Sequence, residues 1–294
     1  MSEPVIVADG LVKRYGAVLA VDGVRFAVPR GRITGFLGRN GAGKSTTLKM
    51  LLGIVAPTAG RGRVLGLRID DEREAVAIRR RVAYVGEDKG LYAYMTAGEL
   101  IRFTRSFYAD WHPPHEQRLL DAYRLPLDRK VKALSKGMRT KLALLLALAR
   151  RPELLILDEP TEGLDPAAIE ELLAELAGRN GDGTTVFFSS HQLADVERIA
   201  DDVVMLDRGK VVLDASMDDV RAHHRAVTIG FASPPPGDLR MPGVERVRVD
   251  GRQVVVTTSA GTDAVVARAH SLGALSVTVT PLTLRELFLD RVAP

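Results

Sequence analysis

The residues best suited to chemistry in this chain form one run, Gly38-Arg39-Asn40-Gly41-Ala42-Gly43-Lys44-Ser45-Thr46. Gly38, Gly43, Lys44 and Ser45 fit the spacing G-x-x-x-x-G-K-[ST], a phosphate-binding loop. Glycines let backbone N–H groups turn inward around phosphate oxygens, where a Cβ would obstruct them. Asn40, Gly41 and Thr46 belong to the same cradle. Lys44 suits β- and γ-phosphates, and the Ser45 hydroxyl suits Mg²⁺. A second run, Leu154-Leu155-Ile156-Leu157-Asp158-Glu159, places two carboxylates after four aliphatic residues. At the end of a buried strand, Asp158 suits a metal ion, and Glu159 suits orienting or deprotonating an attacking water.

Both runs need elements that present them. Gly31-Arg32 reads as a turn and Ile33 to Leu37 as a short buried strand leading into the glycine loop. From Lys44 onward Leu48, Leu51 and Leu52 share a helical face. The start of that helix adds its partial positive charge to the loop. Leu154 to Leu157 has the unbroken apolar character of a parallel strand covered on both faces.

Elsewhere Val5 to Ala8 and Val24 to Val28 read as strands, with Tyr15 in the turns between them. Tyr15 is either a ring for stacking on a base or a half-buried loop residue. Pro57-Thr58-Ala59-Gly60 marks a turn, Arg63 to Gly66 begins a strand, and Glu72 to Arg80 is helical. Arg81 to Val85 is a strand running into the polar loop from Gly86 to Gly90. Thr96-Ala97-Gly98-Glu99 has the form of a capping box. From Glu99 to about Lys132 the pattern is helical, broken at His112-Pro113-Pro114 and Leu125-Pro126. Ser135 caps the helix carrying Leu142, Leu145, Leu146 and Leu148, and Pro166 starts another. Gly181-Asp182-Gly183 turns the chain into the strand Thr184 to Phe188, after which come two serines and His191. Residues 203–213 form a hairpin. Beyond about residue 220, proline loops separate four short strands and two helices.

At 294 residues the chain accommodates a large and a small domain. We expect boundaries of 1–220 and 221–294, with a helical subdomain at about 88–150. A net charge of +4 is scattered, and no cysteine is present for a disulfide or thiolate metal site. The N-terminus lacks a signal peptide, and the longest apolar run, Leu142 to Ala149, is far short of the roughly 18 residues of a membrane span.

Between and beyond the two chemical runs lie Leu134-Ser135-Lys136-Gly137-Met138, Gly163-Leu164-Asp165 and His191. Taken in order with Tyr15, Gly38 to Thr46 and Leu157 to Pro160, they resemble the nucleotide-binding subunits of ABC transporters, over about residues 4 to 220. The core Ala42 to Thr46 and the run Leu134 to Lys141 are similar to cassettes of bacterial multidrug and antibiotic-resistance exporters. The resemblance implies an α/β P-loop NTPase cassette with a mixed sheet, an antiparallel β subdomain and a helical subdomain. A small α+β domain follows it, which either steadies or regulates a dimer or simply stabilises the fold. It also implies an ATPase with ATP and Mg²⁺, paired head to tail with a second cassette and bound to a membrane-embedded permease at the cytoplasmic face.

In that arrangement Tyr15 would stack on adenine, and Ser135 and Gly137 would bind the γ-phosphate held by the partner chain. Glu159 would be the general base, His191 would contact the γ-phosphate, and Ser45, Asp158 and Glu87 would serve Mg²⁺. Alone, His191 reads more readily as a satisfied structural histidine. Aromatic residues Tyr92, Tyr94, Phe103, Phe107, Tyr108 and Trp111 suit the permease interface, with half or more of them expected in the core. The family's signature loop usually reads Leu-Ser-Gly-Gly-Gln; here Lys136 and Met138 replace a glycine and the glutamine. Glu87 stands where glutamine is usual, and Glu162 where a small polar residue is. A soluble ATPase acting on ribosomes or DNA is the alternative. It would be expected to show two cassettes, coiled coils or a basic patch, none of which is visible, so no nucleic-acid partner is expected.

Overall fold

The computed structural model describes residues 3–179, 183–235 and 238–292. The turn residues Gly181 and Asp182, and Pro236-Gly237 of the proline loop, lie outside the described residues. The chain divides into two compact units, Met1–Asp214 and Ala215–Pro294.

The first unit opens with a long hairpin, β1 (Ile6–Tyr15) and β2 (Val18–Val28). Both strands run further than the sequence suggests. Tyr15 therefore ends a strand, paired with Val18 across a tight turn, rather than sitting in a loop. In β2, Val24, Phe26 and Val28 are buried while Arg25 and Ala27 face out, the period-2 pattern of a half-covered sheet. Strand β3 (Ile33–Gly38) leads to helix α1 (Lys44–Leu51). Next come β4 (Ala59–Val64), β5 (Leu67–Arg68), α2 (Glu72–Arg81) and β6 (Val82–Val85). The turn expected at Ala59-Gly60 is already strand, because Ala59 pairs with Val12 of β1.

Helices α3 (Ala97–Arg105), α4 (Pro113–Tyr123) and α5 (Lys136–Leu148) follow. The capping box on α3 is complete: the Thr96 hydroxyl accepts from the Glu99 N–H, and Glu99 accepts from the Thr96 N–H. His112-Pro113 starts α4 rather than merely interrupting helix, since His112 caps it and proline suits the first helical turn. The core then finishes with β7 (Leu154–Leu157), α6 (Pro166–Arg179), β8 (Thr185–Ser190), α7 (Leu193–Ile199), β9 (Asp202–Asp207) and β10 (Lys210–Ser216). No helix is expected over 193–199 from the sequence, and α7 is a difference from that expectation.

Among the described residues these strands make two sheets, one ordered β2-β1-β4-β5 and one ordered β10-β9-β3-β8-β7-β6. In the second, β9, β3, β8, β7 and β6 are mutually parallel. Phe26 of the first sheet meets Phe36 and Phe187 of the second, with ring centroids 5.2–5.6 Å apart. Full burial of such side chains contributes about 1.5–3 kcal/mol each, so this trio ties the two sheets together. The strand order puts β3, β8 and β7 side by side, and their carboxyl ends carry the glycine loop, His191 and the two carboxylates. Ligands of open α/β sheets bind at that edge.

The second unit holds α8 (Met217–His223), β11 (Arg225–Gly230), β12 (Val244–Asp250), β13 (Gln253–Thr258), α9 (Thr262–Ser271), β14 (Ser276–Pro281) and α10 (Leu284–Val292). Its sheet is ordered β12-β13-β11-β14, with antiparallel pairing throughout. Val227, Ile229, Val254 and Val256 of the sheet pack with Val265 and Ala269 of α9 in its core. Among the described residues no helix is long and apolar enough to cross a membrane.

Candidate functional site

The loop after β3 is held open by backbone conformation. Gly41 and Gly43 have φ of 81° and 104°. A Cβ on Gly43 would lie 2.5 Å from the Ala20 carbonyl, so both conformation and space demand glycine there. Gly43 precedes α1 without a side-chain cap, which leaves the first N–H groups of the helix facing the loop. Lys44 is buried and turns back over its own loop, where its Nζ donates to the Gly38 carbonyl at 2.7 Å. The same Nζ lies 3.0 Å from Glu159 Oε1.

Glu159 is the other half of this buried pair. It has φ 48°, a left-handed conformation that costs a non-glycine residue about 1–2 kcal/mol. Its N–H donates to Ser189 Oγ at 2.9 Å, and that hydroxyl donates to Asp158 Oδ1 at 2.6 Å. Ser189 therefore fixes both carboxylate residues at once. Glu159 Oε2 accepts from the His191 N–H at 3.2 Å and lies 2.8 Å from His191 Nδ1. A carboxylate only accepts, so Nδ1 carries the proton in this contact and Nε2 is left to face outward. Ser189 was passed over in the sequence. Its signal was register: Leu157 pairs with Phe188, so the residues just beyond them, Asp158 and Ser189, are neighbours.

A cavity of about 290 Å³ brings Asn40, Gly41, Gly43, Lys44, Ser45 and Thr46 together with Glu87, Glu159 and Glu162. Glu87 has its carboxyl pushed above the usual range, first by the charge of Glu162, then by desolvation and a hydrogen bond to Glu162. Both residues line the cavity. Asp158 is buried beneath it. His191 joins through Glu159.

Other expected site residues stand apart. Tyr15 is exposed, with Lys13 Nζ 5.1 Å from its ring centre, and does not line the cavity. Ser135 caps α5 by accepting from the Met138 N–H at 3.1 Å, and Gly137 lies in the first turn of that helix. Neither lines the cavity. Asp165 accepts from the Ala168 N–H at 2.9 Å at the start of α6.

The aromatic residues sort into two groups. Tyr92, Tyr94, Phe103 and Phe107 are exposed and stack in a chain, with centroids 4.9–5.9 Å apart. Tyr92 and Tyr108 line a groove of about 300 Å³ with Leu91, Leu146 and Arg150. Tyr108 also lies against the Arg150 guanidinium, 3.8 Å from its ring centre. Trp111 does not suit an interface: it is buried, and its indole N–H donates to Glu116 at 2.5 Å.

Residues 21–162 match the family model described as ABC transporter. The bacitracin transport ATP-binding protein BcrA of Bacillus licheniformis is 36% identical over 75% of this chain and 72% of its own length. The Nod factor export ATP-binding protein I of Ralstonia nicotianae is 31% identical over 98% of this chain and 94% of its own. A solved structure of an ATP-binding subunit of an ABC transporter superposes with a TM-score of 0.67 at 35% identity, covering 74% of this chain and 92% of that one. These relatives are named for transport rather than for ribosomes or DNA. With a phosphate loop, a carboxylate pair and a capped Ser135 helix arranged as described, the chain belongs to the ABC transporter family, as one of its ATP-binding, ATP-hydrolysing subunits.

Proposed function

We propose that this ATPase works as one half of a cassette dimer that drives export through a separate membrane-embedded subunit, with Glu159 as its general base. The observation that carries the reading is the buried Glu159 carboxylate, held between Lys44 and His191 at the mouth of the glycine loop. A base must be aimed before substrate arrives, and Ser189, His191 and Lys44 fix this one from three sides. The phosphates would lie along residues 38–46, with Lys44 exchanging part of its hold on the Gly38 carbonyl for phosphate oxygens. Ser135 and Gly137 would complete the site of a second copy, because they stand outside the cavity of their own chain. Tyr15, exposed at the end of β1, would offer its ring to adenine. The groove beside Tyr92 and Tyr108 would receive the membrane subunit at the cytoplasmic face. Export is suggested by the relative named for Nod factor export.

The donor set fits Mg²⁺. Ser45 and Glu87 line the cavity, and Asp158, buried at the end of β7 next to Glu159, has Oδ1 accepting from Ser189. Such hard oxygen donors, few in number and leaving room for water and phosphate, are what Mg²⁺ selects. Bound there, the ion would offset phosphate charge.

Glu159→Gln keeps size and removes the base. It should still bind ATP, lose hydrolysis by a factor of about 10² or more, and accumulate as an ATP-bound dimer on size exclusion. Turnover within a few-fold of the unaltered protein would remove Glu159 from this role.

A further inference from the structure

Two lysines stand behind the phosphate cavity rather than in it. Lys136, the residue after Ser135, lays its side chain across the backbone of Gly163. A Cβ built on Gly163 would fall 2.1 Å from Lys136 Nζ and 2.9 Å from its Cε. Gly163 also has φ 64°, so its lack of a side chain both permits the turn and makes room for the ammonium. Lys89 is half-buried and lines the same space as Lys136. Both lysines line a second cavity, of about 260 Å³, together with Glu87 and Glu162 and with the further charged residues Asp88, Lys132 and Arg139.

Glu87 and Glu162 line the phosphate cavity as well. This carboxylate pair is therefore a wall common to the two cavities, with Arg39 and Lys44 on one side and Lys89, Lys132, Lys136 and Arg139 on the other, of which Lys136 alone is laid across Gly163, the residue next to Glu162. On the phosphate side the wall is unfavourable. Glu87, Glu159 and Glu162 all face a space that must take a polyanion, against two cations, Arg39 and Lys44, of which Lys44 already has Glu159 as an ion partner.

We propose that Lys136, supported by Lys89, neutralises the Glu87–Glu162 wall from behind and so sets the affinity of the phosphate cavity for ATP. Lys136 is a positioning residue in this role, acting through Glu162 rather than by touching the phosphates bound to its own chain. Lys136 and Glu162 are then a matched pair, each suited to its place because of the other. The inference rests on the reading of residues 38–46 as the ATP site.

The test compares the full chain with Lys136→Met, which keeps length but not charge, Lys136→Arg, which keeps charge, Glu162→Ser, and the double variant Lys136→Met with Glu162→Ser. Binding of Mg·ATP is followed by calorimetry at low and high salt, and kcat and KM by phosphate release. Lys136→Met should weaken ATP binding and raise KM by about fivefold at low salt, an effect that screening reduces. Lys136→Arg should stay within about twofold of the unaltered chain, and Glu162→Ser should return the Lys136→Met background to within about twofold. The inference is overturned if Lys136→Met binds ATP normally, if Lys136→Arg is weakened as much as Lys136→Met, or if Glu162→Ser restores nothing. Lys44→Ala is the separate control. If it still binds ATP normally, the ATP-site reading itself fails; if it loses binding while Lys136→Met does not, only this inference does.

Discussion

Strand β7 carries a glutamate beyond each end, and the two have opposite fates. Glu153 precedes the strand and meets Arg81 at 2.8 Å and Arg30 at 3.3 Å. Glu159 follows it and meets Lys44 at 3.0 Å and His191 at 2.8 Å. Each is a carboxylate between two basic groups, but the side chain of Glu153 is 43% exposed and that of Glu159 only 7%. Exposed pairs contribute little, since water already solvates both partners. In a buried pair, loss of one partner strands the other without solvent, at about 3–5 kcal/mol. The exposed cluster ties β7 to the starts of β3 and β6 at low risk. The buried cluster makes stability depend on groups whose geometry serves chemistry, and Glu159 is in addition held at positive φ.

Lys44→Ala tests this contrast most severely. It should abolish ATP hydrolysis, because the phosphates lose their main cation, and it should also leave Glu159 buried beside an empty corner. We expect a loss of about 3 kcal/mol in unfolding free energy, read by denaturant titration without nucleotide. A variant of unchanged stability would show that Glu159 is solvated or neutralised by other means, and that burial is not what separates the two ends of β7.

The phosphate end was legible because backbone and spacing carry it. Glycines at 38, 41 and 43, Lys44, and a four-residue aliphatic run before Asp158 each leave a local mark in the sequence. That such strands are buried and parallel follows from their unbroken apolar runs, but the order that sets β3, β8 and β7 side by side does not. Ser189 left no such mark: a serine after a strand is common, and only its register beside Asp158 gives it a task. Which of the six aromatic residues belong to the core was not legible either: Trp111 is buried because Glu116, one helical turn into α4, supplies an acceptor for its indole N–H. Tyr15 was misplaced because a strand can continue through Lys13-Arg14 when one of its faces is solvated, which composition alone does not reveal. The meeting of Lys136 with Gly163 joins the first turn of α5 to a distant turn and has no signature in either.

Ser189→Ala falls between the extremes. The Glu159 N–H would lose its acceptor and Asp158 Oδ1 its donor, both in buried surroundings. An unsatisfied buried group costs about 1–3 kcal/mol, so the variant should unfold earlier than the parent but later than Lys44→Ala. Its kcat should fall by about tenfold if misaimed carboxylates slow the chemical step, with a smaller change in KM. A normal kcat with lowered stability would make Ser189 a purely structural tie, and would weaken the claim that this end of the strand is arranged for catalysis.

The smallest effect belongs to the exposed end, and its pH dependence distinguishes it. Desolvation alone would raise the Glu153 carboxyl, but hydrogen bonding and charge from Arg81 and then Arg30 outweigh it and hold the group below the usual carboxylate range. A carboxylate depressed in the folded state stabilises at pH above its unfolded value, and the stabilisation disappears as pH falls through the folded value. Glu153→Gln should therefore lower the melting temperature by about 1–3 °C near neutrality, corresponding to less than about 1 kcal/mol for an exposed cluster. The difference between parent and variant should shrink on titration below about pH 4, where the parent carboxylate is increasingly protonated and its ion pairs are lost. A difference that grew on acidification would reverse the sign and mean that Glu153 is held neutral in the fold. A loss as large as that of Lys44→Ala would mean that solvent exposure does not decide the strength of these two clusters.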